Sequence, residues 1–434
     1  MDKMADVLGR AGAWCGQNKY LSAIKNAFQN FMPLTIAGAI GVLWCNVLVN
    51  DQTGLGLFFK PIMALDFLNP AFQAVNFCTI SCITVGITLG IAQEIGVWNM
   101  GAEKAGYIPG LVGLAAWLSV TNTSHMVEGA KDAFTGIAGN ELGATGLFTG
   151  MIIGVLSVEL FCFFEKQDAL KIKMPEQVPP GVARAFEVLV PATITLIITA
   201  CIGSACYNLT GLYLNDVIKN GIQGPLGAVG ATIPGVMIIY LVIMLFWLVG
   251  IHGNNMLSAV KEALFTPLAL ENVEKFNKGE KPTNIINMYF LQMCGEFGGS
   301  GVTIGLVIAI MIFGKREDNK AIASLSLVPG LFNINETVTF GIPMVLNPIL
   351  GIPFVVAPLI TIIIGYVLTV IGFCPVACLT VPWTTPPIVF GFLACGANVM
   401  GAVTQAILIV VSTVIYVPFL ISYEKYQNKQ AAEA

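Results

Sequence analysis

The chain has 434 residues, of which 56% are apolar and only 11% are charged, and its mean hydropathy is +0.80. Soluble domains carry about 25% charged residues, so this composition excludes a soluble globular protein and predicts an all-α polytopic membrane protein. The formal net charge of −4 arises from few charges, and without a basic run we expect no nucleic-acid partner.

Apolar segments recur along the chain, and a helix that crosses a bilayer needs about 20 residues. The predicted spans are 28–49, 71–94, 106–121, 143–164, 188–207, 225–250, 286–314, 349–373 and 398–422. The first 27 residues are mixed and polar, so we expect no cleavable signal peptide there.

Three further apolar segments, 251–270, 321–348 and 379–396, are interrupted by Gly, Pro and Asn. They predict re-entrant or broken helices, because non-helical backbone at membrane depth must be buried in protein or line a polar cavity. All three lie in the second half. We therefore expect residues 225–434 to form the transport domain and residues 1–224 to form a scaffold or dimer interface.

The distribution of Lys and Arg predicts that both termini are cytoplasmic. In that orientation the inside segments of the first half carry nine basic residues: Lys3, Arg10, Lys19, Lys25, Lys104, Lys166, Lys171, Lys173 and Arg184. The outside segments carry three: Lys60, Lys131 and Lys219.

A Pro-rich cytoplasmic loop is predicted over 165–187. Pro175, Pro179 and Pro180 are expected to keep its backbone extended rather than helical. Two interpretations stay open for this loop: a plain linker, or a segment that docks a partner or gates the site.

Soluble-enzyme motifs are absent from the sequence, and no ATP-binding loop is present. The glycines of "GGSGVTIG" (298–305) lack the dinucleotide-binding spacing and predict a packing or close-approach role. Cys374 and Cys378 lack a zinc spacing, and the only histidines are His125 and His252. We expect no metal and no cofactor, so transport would draw on an ion gradient or a partner protein.

Ionisable groups at membrane depth are costly and usually face a functional cavity. Glu336 in "NINETVTFG" and His252 in "GIHGNNM" favour a functional role, since both lie among amides in interrupted segments. For Glu296 the functional and structural interpretations are equally open. Glu159 is better explained by a helix contact or by reaching the interface.

The polar groups of these segments suit a neutral sugar. Carboxylates and amides pair with vicinal hydroxyls, an aromatic face covers a pyranose ring, and no Arg cluster awaits an anion. Another neutral solute remains an open alternative. The candidate substrate-binding residues are Glu336, His252, Trp383, Asn335, Asn254 and Asn255.

Several segments together resemble one known family. They are "SAIKNAFQNFMPLTIAGAI" (22–40), "MPEQVPPGVARAFEVLVPATI" (174–194), "LVGIHGNNM" (248–256), "FGGSGVTIGLVIAI" (297–310), "GLFNINETVTFGIPMVLNPILGIPFVVAP" (330–358) and "VPWTTP" (381–386). The chain resembles, over essentially its whole length, the membrane-embedded C component (enzyme IIC) of bacterial sugar phosphotransferase systems, in the lactose/cellobiose/diacetylchitobiose family.

The resemblance implies a fold and an assembly. The fold would have about ten transmembrane helices, with re-entrant hairpins near 251–270 and 321–348. The protein would be a homodimer in the bacterial plasma membrane that imports a β-linked disaccharide by alternating access.

The resemblance also implies a reaction. A phosphocysteine on a cytoplasmic B subunit, itself phosphorylated by an A subunit, would phosphorylate the C6 hydroxyl. Glu336 and His252 would lie near that hydroxyl, with either as proton acceptor, and Trp383 would contact the sugar.

The sequence ends about a dozen residues after the last predicted span, without a cysteine-bearing soluble domain. This favours a separate B subunit, and cellobiose or diacetylchitobiose over lactose. The alternative function is an ion-coupled secondary transporter of a neutral sugar, in which Glu336 would bind a proton or sodium ion.

Overall fold

The protein is described here by a computed structural model, which covers residues 10, 14, 17–51, 55–125, 134–175, 177–342, 344 and 347–433. Lys3, Lys131 and residues 343, 345 and 346 of the predicted hairpin lie outside the described residues. The described chain is helical apart from loops and one short antiparallel pair, β1 (Ser124–His125) and β2 (Phe134–Thr135). The predicted all-α class is confirmed.

Six described helices are long and apolar enough to cross a membrane. They are Lys19–Leu48, Lys60–Met100, Ala144–Glu165, Pro180–Thr210, Gly351–Val370 and Val399–Glu433. Met288–Val302 and Ile304–Phe313 form a further candidate, bent by 59°, and two apolar helices are shorter, Ile108–Val120 and Ile233–Leu248. These helices make the chain a multi-pass membrane protein; the orientation of its termini stays a prediction.

The chain divides into two compact units. The N-unit comprises Gln17–Gly38 and Val75–Gly227, and the C-unit comprises Met1–Gly16, Ala39–Ala74 and Ala228–Ala434. Their boundary near residue 227 lies close to the predicted one at 224, but residues 39–74 group with the C-unit. The roles predicted for the two halves stay predictions.

The α-helices up to residue 230 are α1 (Lys19–Leu43), α2 (Asn69–Cys78), α3 (Ile83–Met100), α4 (Ala102–Ala105), α5 (Ile108–Val120), α6 (Gly139–Leu142), α7 (Ala144–Glu165), α8 (Pro180–Thr210), α9 (Leu214–Ile218) and α10 (Gly224–Gly230). Short 3₁₀ segments occupy Leu55–Leu57, Lys60–Leu68, Ile80–Cys82 and Asp168–Leu170, and π-helical turns occupy Trp44–Leu48 and Lys219–Gln223.

Helices α3, α5, α7 and α8 pack together in the N-unit. Small residues permit this close approach: a Cβ placed at Gly113 of α5 would lie 2.3 Å from the Cβ of Ala92 in α3. Lipid is as apolar as the side chains, so membrane helices gain little from the hydrophobic effect. They associate through close packing of this kind instead.

Helix α8 begins earlier than the sequence predicted, at a proline. The loop was predicted to stay extended through Pro180, but α8 begins at Pro180 itself. The first helical position tolerates proline because its missing N–H has no partner there in any case. Arg184 is therefore helical, and the non-helical part of the loop ends at Pro179.

The α-helices of the C-unit beyond residue 230 are α11 (Ile233–Leu248), α12 (Gly253–Met256), α13 (Ser258–Asn277), α14 (Met288–Gly295), α15 (Ile304–Phe313), α16 (Glu317–Leu331), α17 (Glu336–Gly341), α18 (Gly351–Val370), α19 (Val389–Ala394) and α20 (Val399–Glu433). A 3₁₀ turn occupies Ser300–Val302. Helix α15 packs on α16 and α20, and α18 packs on α11, α14 and α20.

One predicted span is bent and interrupted within its length. Residues 286–314 were predicted as a single span, but the helix stops at Gly295 and resumes at Ile304. Gly298, Gly299 and Gly301 all have positive φ, a conformation that residues with a Cβ rarely adopt. The interrupted backbone between α14 and α15 contacts the two segments that carry His252 and Glu336.

Candidate functional site

The imidazole of His252 is oriented by the backbone of the short helix that it caps. Helix α11 ends at Leu248, Gly250 turns the chain with φ +81°, and His252 caps the N-terminus of α12. Its Nδ1 accepts a hydrogen bond from the Asn255 N–H at 3.2 Å. A neutral imidazole that accepts at Nδ1 carries its proton on Nε2, so the Nε2–H is the group presented outward.

Glu336 lies opposite that nitrogen. It opens helix α17, and its Oε1 lies 3.8 Å from His252 Nε2, while the two side chains are 47% and 38% exposed. The gap is too long for a hydrogen bond. A third oxygen at about 2.8 Å from both atoms fits beside the pair, so the arrangement can hold a ligand hydroxyl between a carboxylate and an imidazole.

Aromatic side chains pack against the imidazole of His252. The rings of Trp247 and His252 have centroids 4.4 Å apart, and Trp247 meets Phe354 of α18 edge-on at 6.3 Å. Trp247 and Phe354 are both buried. His252 is thus held by the tilted Trp247 ring and by its Nδ1 hydrogen bond, which together restrict where Nε2 can point.

The break between α14 and α15 joins the two segments. Asn254 Nδ2 donates to Ser300 Oγ at 2.9 Å, and Asn335 Nδ2 donates to the Ser300 carbonyl at 3.0 Å. A Cβ placed at Gly299 would lie 2.6 Å from the Asn335 Cβ. Glycine at 299 is what lets the Asn335 turn approach, and with it Glu336.

Asn333 is a residue that the sequence analysis did not select, and it brings Trp383 to the same place. Its backbone is left-handed (φ +62°), a conformation that Asn tolerates. Its Oδ1 accepts from the Gly298 N–H at 2.7 Å, and its Nδ2 donates to the carbonyls of Trp383 at 2.5 Å and Thr385 at 3.0 Å. Trp383 is 43% exposed beside the turn that carries Glu336.

Lys261 is the second residue that the sequence analysis missed. Its buried ammonium forms an ion pair with Glu296, whose Oε1 also accepts from the Tyr240 hydroxyl at 2.8 Å. The available signal was a lysine in the apolar run "SAVKEALF", nine residues after His252. Glu296, for which two interpretations stood open, thus has a structural partner.

The predicted substrate-binding residues differ in how exposed they are. His252, Glu336 and Trp383 are half-exposed, and Asn255 is exposed. Asn335 is 4% exposed and also donates to Thr339 Oγ1 at 3.1 Å, so its amide supports the turn. Among the residues that the structure describes, the buried Asn254 Oδ1 has no hydrogen-bond partner.

Glu159 lies apart from this group, in the N-unit, where it pairs with Lys19 at 2.6 Å. That pair agrees with the structural interpretation of Glu159 as a helix contact. Within the described residues, no group of three or more His, Cys, Asp or Glu side chains is arranged to hold a metal ion.

Comparison with known proteins gives consistent matches. The family described as "Phosphotransferase system, EIIC" matches residues 25–358. The oligo-beta-mannoside-specific EIIC component of Bacillus subtilis (strain 168) is 33% identical over 98% of this chain and 94% of its own length. The cellobiose-specific EIIC component of Lactococcus lactis subsp. lactis (strain IL1403) is 30% identical over 98% of each chain.

A solved structure matches over nearly the whole chain as well. The crystal structure of the transporter ChbC, the IIC component from the N,N'-diacetylchitobiose-specific phosphotransferase system, superposes with a TM-score of 0.88 at 29% identity. The match covers 97% of both chains.

Proposed function

Because the chain belongs to the EIIC family of the phosphotransferase system, we propose that it imports a β-linked disaccharide and presents its C6 hydroxyl for phosphorylation. Relatives named for oligo-beta-mannoside, cellobiose and N,N'-diacetylchitobiose support a substrate of the cellobiose or diacetylchitobiose class. The phosphoryl donor would be the phosphorylated B component, charged in turn by an A component.

The observation that carries this proposal is the half-exposed pair of His252 and Glu336, 3.8 Å apart between Nε2 and Oε1. One sugar hydroxyl can donate to the Glu336 carboxylate while it accepts from the His252 Nε2–H. The same geometry suits a hydroxyl that must lose its proton, since the acceptor is already in contact with it.

The remaining residues supply recognition. The exposed Trp383 indole offers a flat face for a pyranose ring, and the exposed Asn255 amide offers both a donor and an acceptor. Asn254 contributes by its hydrogen bond to Ser300, which holds the His252 segment against the break between α14 and α15. Asn335 contributes by holding the turn that carries Glu336.

The phosphoryl transfer needs only a few groups from this chain. The C6 oxygen forms a P–O bond as the P–S bond of the phosphocysteine breaks, and the cysteine leaves as a thiolate. The hydroxyl proton passes to Glu336. His252 holds the oxygen in place, because a loose transition state depends more on positioning than on early proton removal.

A homodimer that moves the site between the two sides of the membrane completes the proposal. Alternating access suits a site built on interrupted helices, because irregular backbone at membrane depth is tolerated where it lines a polar cavity.

The substrate class can be tested by calorimetry on the detergent-solubilised protein. Cellobiose and N,N'-diacetylchitobiose are expected to bind, and the α-linked disaccharide maltose is not. Binding of maltose with equal affinity would contradict the proposed substrate class.

The His252→Gln variant separates positioning from proton transfer. Gln keeps a donor and an acceptor but does not titrate, so we expect a modest loss of affinity and nearly intact phosphorylation per bound sugar. Sugar affinity is measured beside single-turnover phosphorylation by the phosphorylated B component. Normal binding with phosphorylation reduced by about 10²-fold or more would instead make His252 a proton-transfer group.

The cytoplasmic loop gives a third prediction, for docking of the B component. Lys173 is exposed, whereas Arg184 pairs with the buried Glu165 at 3.0 Å and with Glu187 at 2.7 Å. Lys171 binds Asp168 at 3.1 Å and lowers the pKa of that carboxyl. Among the described residues Lys173 forms no ion pair, so it is available to contact an anionic partner, whereas Arg184 stabilises the fold.

We expect Lys173→Ala to slow B-dependent phosphorylation in a salt-sensitive way while sugar affinity stays unchanged, because rim charges act mainly on association rates. Lys60→Ala, at an exposed lysine on the predicted outer side, is the matched control. Equal rates for both variants would support the plain-linker interpretation. Arg184→Ala is expected to lower stability instead.

A further inference from the structure

Five sulfur-bearing side chains that the proposed function does not use lie together in the C-unit. This sulfur cluster consists of Met293, Cys294, Cys374, Cys378 and Cys395, and each of these residues is buried. Cys374 Sγ and Cys395 Sγ lie 3.9 Å apart, and Cys395 Sγ lies 3.8 Å from Met293 Sδ.

The two cysteines that lie closest are both in irregular backbone. Cys374 follows the end of α18 at Val370, after Gly372 with φ +80°. Cys395 directly follows α19 and precedes Gly396 with φ +72°. Side chains in such loops can rotate without breaking a helix, so the two sulfurs can close from 3.9 Å to the roughly 2.05 Å of a disulfide bond.

One thiol of the pair, Cys374, is the more readily deprotonated. Hydrogen bonding with the Cys395 thiol lowers the pKa of the Cys374 thiol, which lies beyond the end of its span. The thiolate is the nucleophilic form of cysteine. Cys374 is therefore the attacking sulfur, and Cys395 is the partner that completes the bond.

We propose that Cys374 and Cys395 are a reversible disulfide site, oxidised by a hydroperoxide. The Cys374 thiolate attacks the peroxide oxygen, the O–O bond breaks, and a sulfenic acid forms with release of water or an alcohol. The Cys395 sulfur then attacks the sulfenic sulfur, the S–O bond breaks, and a second water leaves. In total two thiols and one peroxide give one disulfide.

The disulfide would close a loop that contains Trp383. Residues 377–379 are already attached to the same region: the Cys378 N–H donates to the Ala394 carbonyl at 2.8 Å, and Asn287 Nδ2 donates to the Ala377 carbonyl at 3.0 Å. Because these contacts hold the segment in its present position, the new bond should stabilise the C-unit with little effect on sugar affinity. The site itself does not depend on the proposed function.

The test is oxidation of the full-length protein in native membranes with hydrogen peroxide, followed by non-reducing proteolysis and mass spectrometry. We expect one cross-linked peptide pair that joins Cys374 to Cys395 and that dithiothreitol separates. Cys374→Ser and Cys395→Ser should each abolish it, whereas Cys201→Ser, at an exposed cysteine on α8, should keep it. The oxidised wild type should also melt at a higher temperature than either serine variant.

The proposal is overturned if Cys374 and Cys395 are both recovered as free thiols while exposed Cys201 is oxidised. A cross-link that joins either residue to Cys378 or Cys294 instead would overturn the pairing. Mapping in the wild-type protein decides both outcomes even if a serine variant fails to fold.

Discussion

Glu336→Gln weakens sugar binding by about tenfold or more in our account, because one charged hydrogen bond to a ligand contributes about 1.5–3 kcal/mol. Gln keeps the size of the side chain but replaces a carboxylate oxygen by an amide group that cannot take the proton of the C6 hydroxyl. Phosphorylation per bound sugar should therefore fall further than binding does. Calorimetry gives the first quantity and single-turnover transfer from the phosphorylated B component gives the second.

The matched control for this variant is Glu317→Gln. Glu317 begins α16, the helix that precedes the Glu336 turn, and its side chain is 88% exposed with a surface partner in Lys320. Removing that charge should change neither affinity nor transfer, since exposed pairs contribute little. If Glu336→Gln binds sugar with wild-type affinity, Glu336 does not contribute to sugar binding.

Lys261→Met is expected to have the second largest effect, this time on stability and through it on binding. The variant leaves the Glu296 carboxylate without its cation in a site where Lys261 is buried and Glu296 is 17% exposed. Breaking such a pair from one side costs about 3–5 kcal/mol, because the remaining charge is uncompensated. The thermal transition in detergent should drop by about 5 °C or more.

A double variant tests whether the pair acts as a unit. Lys261→Met combined with Glu296→Gln leaves neither member of the pair charged, so much of the lost stability should return. The Tyr240 hydroxyl can still donate to the amide oxygen that replaces Glu296 Oε1. If the double variant is less stable than Lys261→Met by the full cost of Glu296→Gln, the two residues are independent and the coupling is absent.

Local features of the sequence predicted much of the architecture. Hydrophobic length predicted the helices at 143–164, 349–373 and 398–422, which begin at Ala144, Gly351 and Val399. The interruptions around His252 and Glu336 pointed to broken helices, because Gly, Pro and Asn end helices for local steric reasons. An isolated carboxylate in an apolar segment needs a partner, and this reasoning selected Glu336.

The missed features depend on tertiary contacts. Residues 286–314 are apolar enough to be predicted as one span, and only the approach of Asn335 to Gly299 shows why the helix breaks. Lys261 stood out only as a lysine in an apolar run, and its partner Glu296 lies 35 residues further along the chain. The connection of Asn333 to Trp383 spans 50 residues. Sequence spacing carries no information about such pairs.

The central claim is that sugar enters through this protein coupled to phosphorylation. The most direct test uses membrane vesicles that contain the purified protein, loaded with the phosphorylated B component and supplied with radiolabelled cellobiose or N,N'-diacetylchitobiose outside. We predict that a 6-phosphorylated disaccharide appears inside, and only when the B component is phosphorylated. Free sugar that accumulates under a proton or sodium gradient without the B component would contradict the claim and identify an ion-coupled transporter.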